Sequence, residues 1–191
     1  MKAEIKEIFP RDYPDNKKVI LAYESEFFYD IKSKRAGDDS HWTFDLEIRR
    51  FEHPFVKNEM LNFFGAYKKN CRYFIASIQG HEIGQLAVGH HEWNQRARIW
   101  DIYVNKDLHR KGLGTELVKF AIQKAKEWRC RSLVLETQSC NHKAICFYLR
   151  CGFTLIGFDL TAYSNEDVFK HEVRMEMGLK LPQEKWEILH S

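Results

Sequence analysis

The sequence predicts an α/β fold: a mixed, mostly antiparallel sheet with flanking helices and a βαβ core. Three observations lead there. Residues 73–78 and 83–89 are strand-like runs on either side of Gln79-Gly80-His81-Glu82, which reads as a hairpin. Residues 98–104, a glycine-bearing turn, a helical stretch and an apolar run at 132–137 then follow as strand, helix, strand, and that order calls for a parallel pair. A second helix, closed by Gly152, precedes two further strands.

Each element has its own signal. Residues 27–33 read as a strand, 34–40 as a polar loop, and 42–48 alternate apolar and polar positions as a second strand. His53-Pro54 marks the start of a short helix. After the hairpin, 98–104 is rich in β-branched and aromatic residues. Leu113, Leu117, Val118, Ala121, Ile122 and Ala125 recur at helical spacing, predicting a helix over 113–128. The strand at 132–137, a helix over 141–151 and a closing hairpin of 153–158 with 171–177 complete the chain.

At 191 residues the chain reads as one domain over 1–191, large enough to bury a core without disulfide staples. The five cysteines are odd in number and lack paired spacing, which suits free thiols in a reducing cytoplasm. Cys140, His142, Cys146 and Cys151 contain no Cys-x-x-Cys pair and fall along the second helix, so no metal is expected. His90 and His91 point to opposite faces of a strand, poor geometry for shared ligation. No apolar run is long enough to span a bilayer, and the N-terminus lacks a signal-peptide core. A net charge of +3 is too mild to argue for nucleic acid. Its distribution is uneven. Lys106, Arg110, Lys111, Lys119, Lys124, Lys126, Arg129 and Arg131 gather around the turn and its helix, whereas Glu24, Glu26, Asp30, Asp38, Asp39, Asp45, Glu47 and Glu52 dominate the N-terminal third. The first group suits a polyphosphate. The second suits a cation, with a solvated surface as its ordinary alternative.

The segment Asp107-Leu-His-Arg-Lys-Gly-Leu-Gly-Thr-Glu-Leu117, the turn and the helix start it opens, is the most informative one. Gly112 and Gly114 let backbone N–H groups approach a ligand, and the helix start adds unpaired donors and a positive dipole end. Gly-Lys-Ser/Thr is absent, as is a third glycine with an acidic residue downstream, so nucleoside triphosphate and dinucleotide readings fail. A helix start with solvated charges remains the plain alternative. The block 109–114 resembles the pyrophosphate-binding turn of the GNAT N-acetyltransferase superfamily, whose ligand is acetyl-coenzyme A.

A second block, Asn141-His-Lys-Ala-Ile-Cys-Phe-Tyr-Leu-Arg-Cys-Gly-Phe153, resembles the other signature of that superfamily in order and spacing. Trp42-Thr-Phe44, Asp101-Ile102, Leu135-Glu-Thr-Gln138, Asp159 and Tyr163 extend the likeness toward the streptothricin acetyltransferases over about residues 27–178. Two positions depart from the pattern. His109 stands where the superfamily usually has Arg or Gln, and Trp100 stands where streptothricin acetyltransferases often carry an acid. The first twenty-odd residues contribute nothing usable to the resemblance.

The resemblance implies roles. Arg110, Lys111, Gly112, Leu113, Gly114 and Thr115 would hold the pyrophosphate, and Ile102, Tyr103 and Val104 would pair with the pantetheine arm and supply an oxyanion donor if the strand is bulged. Asn141 would hydrogen-bond the arm, and Tyr148 would also meet the cofactor, protonating the departing thiolate. A lysine-like amine, with a pKa of about 10.4, must lose a proton before it attacks. Glu136 is the first candidate base and Asp101 the second, each with a purely structural alternative. The function implied is acetyl transfer from acetyl-CoA to a small cationic amine, with streptothricin's β-lysine amine foremost. Acetylation of a protein lysine or N-terminus, and a non-catalytic acyl-CoA-binding module, stay open. A cytoplasmic setting follows from the same likeness, and a homodimer is compatible with it.

Overall fold

A computed structural model describes residues 3–37 and 40–182. Asp38 and Asp39 lie outside the described residues. The described elements are nine strands and three α-helices, grouped in two units that each draw on separate stretches of chain.

The first unit comprises Met1–Lys17, Phe63–Leu135 and Gly178–Ser191. Its strands run β1(Glu4–Ile8), β4(Cys71–Ile78), β5(His81–His91), β6(Arg96–Val104) and the first half of β7(Ser132–Gln138), adjacent in that order. All neighbours are antiparallel except β6 and β7, which are parallel from Arg96↔Ser132 to Ile99↔Leu135. The helix α1(Leu113–Glu127) makes that crossover and buries Leu113, Leu117, Val118, Ala121 and Ala125, the face its apolar spacing predicts. The turn between β4 and β5 is tighter than predicted. Ile78 pairs with His81, leaving only Gln79 and Gly80 at φ of +50° and +79°, the doubly positive turn whose twist matches the strands.

The second unit comprises Lys18–Asn62 and Glu136–Met177. A long antiparallel ribbon joins β2(Lys18–Arg35) to β3(Trp42–Asn62). Here the helix expected after His53-Pro54 is absent, because β3 continues through both residues. The register jumps from Arg50↔Phe27 to Phe55↔Ser25, so Pro54 sits where the ladder needs no N–H donor. The remaining elements are α2(His142–Arg150), β8(Thr154–Asp159), α3(Asp167–Lys170) and β9(Arg174–Lys180), with β9 lying between β7 and β8. The closing strand therefore starts three residues later than expected. His171 ends α3 in a left-handed conformation and stacks on Phe28 at 3.8 Å, which removes it from the strand.

Three acidic residues of the ribbon are paired across it. Glu26 meets Arg50 at 3.0 Å, Asp30 meets Arg49 at 2.9 Å, and Glu47 meets Lys32 at 3.6 Å. That favours the solvated-surface alternative for these groups. No helix among the described residues is long and apolar enough to cross a membrane.

Candidate active site

In the first unit the expected strand, turn and helix are present, and each is shaped for a reason. β6 carries a bulge: Ala87 pairs with Asp101 and Val88 with Ile99, leaving Trp100 as the extra residue. The ladder to β7 stops at Ile99↔Leu135, whereas Asp101, Ile102, Tyr103 and Val104 keep their β5 partners. One edge of 101–104 is thereby open to an extended ligand among the described strand pairings.

The turn after Val104 is held by two polar contacts. Asn105 Oδ1 accepts from the Asp107 N–H at 3.2 Å, and His109 Nε2 lies 2.9 Å from the Val104 carbonyl. His109 thus ties the turn back to the strand, which accounts for a residue that departs from the family pattern. Arg110 and Gly112 both take positive φ, +62° and +86°. A Cβ at Gly112 would meet nothing within 4 Å, so backbone conformation rather than crowding demands glycine there.

At the start of α1 the first internal bond runs from Glu116 N to the Gly112 carbonyl at 3.0 Å. Leu113, Gly114 and Thr115 precede it, and Gly112 offers no side-chain cap. Three N–H groups and the positive end of the helix dipole therefore face an open approach flanked by Arg110 and Lys111.

Asp101 is not a loose carboxylate. Its Oδ2 pairs with Lys68 Nζ, and Lys68 also donates to the Phe63 carbonyl at 2.8 Å. Burial raises the Asp101 pKa, while the Lys68 ammonium works against that rise. Trp100 packs against Tyr67 at 5.7 Å and His91 at 5.9 Å, with the Arg98 guanidinium 4.9 Å from its ring. It plugs a cluster built on Phe63, Tyr73 and Ala87. His90 turns the other way and stacks on Trp128, so neighbouring histidines do face opposite sides.

In the second unit Glu136 is half-buried on β7 between the buried Leu135 and Thr137. Its Oε1 accepts from the Tyr163 hydroxyl at 3.2 Å, and its Oε2 is 4.0 Å from Arg174 Nε. Burial first, then the Glu136 charge, pushes the Tyr163 pKa up, so its oxygen keeps the proton and remains a donor. Asp167 holds that loop by accepting from the Tyr163 N–H and the Ser164 hydroxyl, both at 2.8 Å. Burial opposes its charge, but these bonds win and its pKa is lowered.

Tyr148 is buried on α2 against Phe147 and Phe153, and burial raises its pKa. Asn141 caps α2 by accepting from the Ala144 N–H at 3.3 Å, leaving its amide NH2 for other use. The loop before α2 is fixed by buried Ser139, whose N–H donates to the Val173 carbonyl at 2.8 Å and whose hydroxyl donates to the His171 carbonyl at 2.6 Å. Beside it the Tyr23 hydroxyl bonds Gln138 Oε1 at 2.8 Å and contacts Cys140 Sγ at 3.2 Å. Lys68, Arg174 and this Ser139 knot escaped the sequence reading, since each acts through partners distant in the chain; Asp167 escaped it too, although its partners Tyr163 and Ser164 are local.

The strand, the left-handed turn and the uncapped helix belong to an α/β protein and together present unpaired backbone donors at a helix start. A family model, the acetyltransferase (GNAT) family, matches residues 5–153, and the chain belongs to that family. Streptothricin acetyltransferase A of Bacillus subtilis (strain 168) is 33% identical over 133 residues, 68% of this chain and 75% of the relative. The solved structure of a nourseothricin acetyltransferase covers 94% of this chain and 99% of its own at 25% identity, with a TM-score of 0.73. A Bacillus anthracis str. Ames protein assigned as a streptothricin acetyltransferase, in complex with acetyl coenzyme A, covers 95% and 99% at 25% identity and a TM-score of 0.73. This chain is accordingly an acetyl-CoA-dependent N-acetyltransferase with the mixed, mostly antiparallel fold of its family.

Proposed function

We propose that the enzyme acetylates a small cationic amine, the β-lysine amine of streptothricin, with acetyl-CoA held along 102–104 and at the turn 110–115. The uncapped start of α1 behind a positive-φ turn carries the cofactor part of this reading. Likeness to proteins named for streptothricin supports the substrate part. A cytoplasmic setting suits a ligand supplied by central metabolism.

In this reading Glu136 takes a proton from the substrate ammonium, directly or through water. The amine nitrogen then bonds the thioester carbonyl carbon, gives up its second proton to solvent, and the C–S bond breaks as the tetrahedral intermediate collapses. Backbone N–H groups of 102–104 stabilise the oxyanion. Asn141 supports the pantetheine arm through its free amide. Tyr148 donates a hydrogen bond to the departing thiolate; its raised pKa makes complete proton transfer costly, so solvent supplies the proton at the end. Tyr163 and Arg174 orient Glu136, and Asp101 serves the strand rather than the proton.

Thiol release from acetyl-CoA with streptothricin, free lysine, polyamines, aminoglycosides and lysine peptides tests the assignment. Acetylated streptothricin by mass spectrometry, and resistance on expression in a sensitive bacterium, are the expected results. Robust release with lysine peptides and none with streptothricin would move the acceptor to proteins while leaving the cofactor site in place.

A further inference from the structure

Lys68 is the only lysine or arginine fully buried among the described residues. Its side chain is 1% exposed, and its ammonium is divided between the Phe63 carbonyl and the Asp101 carboxylate. Such a pair is an expensive way to fill space. Desolvating an ammonium and a carboxylate costs several kcal/mol, roughly what their attraction returns, and apolar residues of equal volume usually do as well. What an ion pair does provide is a defined geometry between two segments.

Those segments are informative. Lys68 lies in the stretch joining β3 to β4, which is itself fixed: Phe63 and Phe64 pack on Tyr73 at 5.3 and 4.8 Å, and Lys68 N donates to the Gly65 carbonyl at 3.0 Å. Asp101 directly follows the bulge at Trp100, where β6 has lost its ladder to β7 and is held by β5 alone. Tyr67 packs on Trp100 while Lys68 grips Asp101, so adjacent residues hold the bulge residue and the one that follows it. Past the clamp lie Ile102, Tyr103 and Val104.

We propose that Lys68 is a positioning residue for acetyl transfer: through Asp101 it fixes the backbone at 102–104 that receives the acyl end of acetyl-CoA. The inference rests on the cofactor reading given above. It makes Asp101 an anchor whose charge matters through Lys68, and it separates the acyl end of the site, which the clamp controls, from the pyrophosphate turn, which it does not.

The test uses the full chain and two probes, CoA and acetyl-CoA labelled with 13C at the acetyl carbonyl. Lys68→Met leaves a buried carboxylate unpaired and is expected to destabilise the fold. The double variant Lys68→Met with Asp101→Asn removes both charges and keeps the protein folded. In the double variant the CoA dissociation constant should stay within about threefold of the parent value, because the turn is untouched. The 13C carbonyl resonance of bound acetyl-CoA should move back toward its free position, and kcat should fall about tenfold or more although thermal stability is restored. A double variant with parental stability, carbonyl shift and kcat would overturn the proposal and leave the pair a packing device. If the parent enzyme itself fails to bind CoA, or binds acetyl-CoA with an unshifted carbonyl, the cofactor reading falls first.

Discussion

The Tyr163 hydroxyl donates to Glu136 Oε1 across 3.2 Å, joining the loop after β8 to the strand that carries the proposed base. Because burial and the nearby carboxylate raise the Tyr163 pKa, the tyrosine stays a donor above the usual tyrosine range of about 10. Glu136→Gln should cost about a hundredfold in rate near neutrality and recover activity at high pH, where the amine is already free. Tyr163→Phe should cost about tenfold, with the same pH profile as the parent, since it removes orientation and leaves the base. Steady-state pH profiles decide this. If Asp101→Asn gives the high-pH recovery and Glu136→Gln does not, the base is Asp101.

Gly114 occupies the first turn of α1, ahead of the first internal hydrogen bond. Gly114→Glu puts a carboxylate among the donors proposed for pyrophosphate, and it should weaken acetyl-CoA binding about tenfold or more while the helix persists. Calorimetry with circular dichroism separates the two effects. Unchanged affinity in a folded variant would remove the turn from the cofactor site.

Local chemistry made most of the fold legible. Apolar spacing along α1, glycine at φ of +86° and +90° in positions 112 and 152, and the β-branched, aromatic and apolar runs of β4 to β6 are all properties of neighbouring residues. Pro54 misled because a proline tolerated at a strand irregularity looks the same in sequence as one that opens a helix; only the partner strand distinguishes them. A bulge in this strand entered only as a condition of the resemblance, with no position given, and the clamp at Trp100 was invisible, since Lys68 and Asp101 stand 33 residues apart. His109 read as a departure from pattern, whereas its bond to the Val104 carbonyl makes it part of the turn.

Tyr148 offers a way to separate packing from chemistry. Its ring is buried, and its hydroxyl makes no hydrogen bond in the described residues that Tyr148→Phe would break. The variant should therefore match or slightly exceed the parent in thermal stability, while kcat falls about tenfold and the acetyl-CoA KM changes little. A stable variant with undiminished kcat would return Tyr148 to the core.

Gly84 and Gly89 both lie on β5 opposite β6, but they should respond differently to a methyl group. A Cβ at Gly89 would stand 2.6 Å from Trp100 Nε1, a side chain that can shift or be replaced. A Cβ at Gly84 would stand 2.7 Å from the Tyr103 carbonyl oxygen, a backbone atom of the proposed acyl-receiving edge. Each alanine should cost about 1–3 kcal/mol through overpacking, read as a drop in Tm of about 2–4 °C per kcal/mol. Gly89→Ala combined with Trp100→Phe should recover much of that loss, because the smaller ring frees the space. Gly84→Ala has no such remedy: it must push Tyr103, so acetyl-CoA turnover should fall even at temperatures where the variant is fully folded. Retained turnover in folded Gly84→Ala would mean that the backbone at 102–104 tolerates displacement, and would count against that edge as the acyl site.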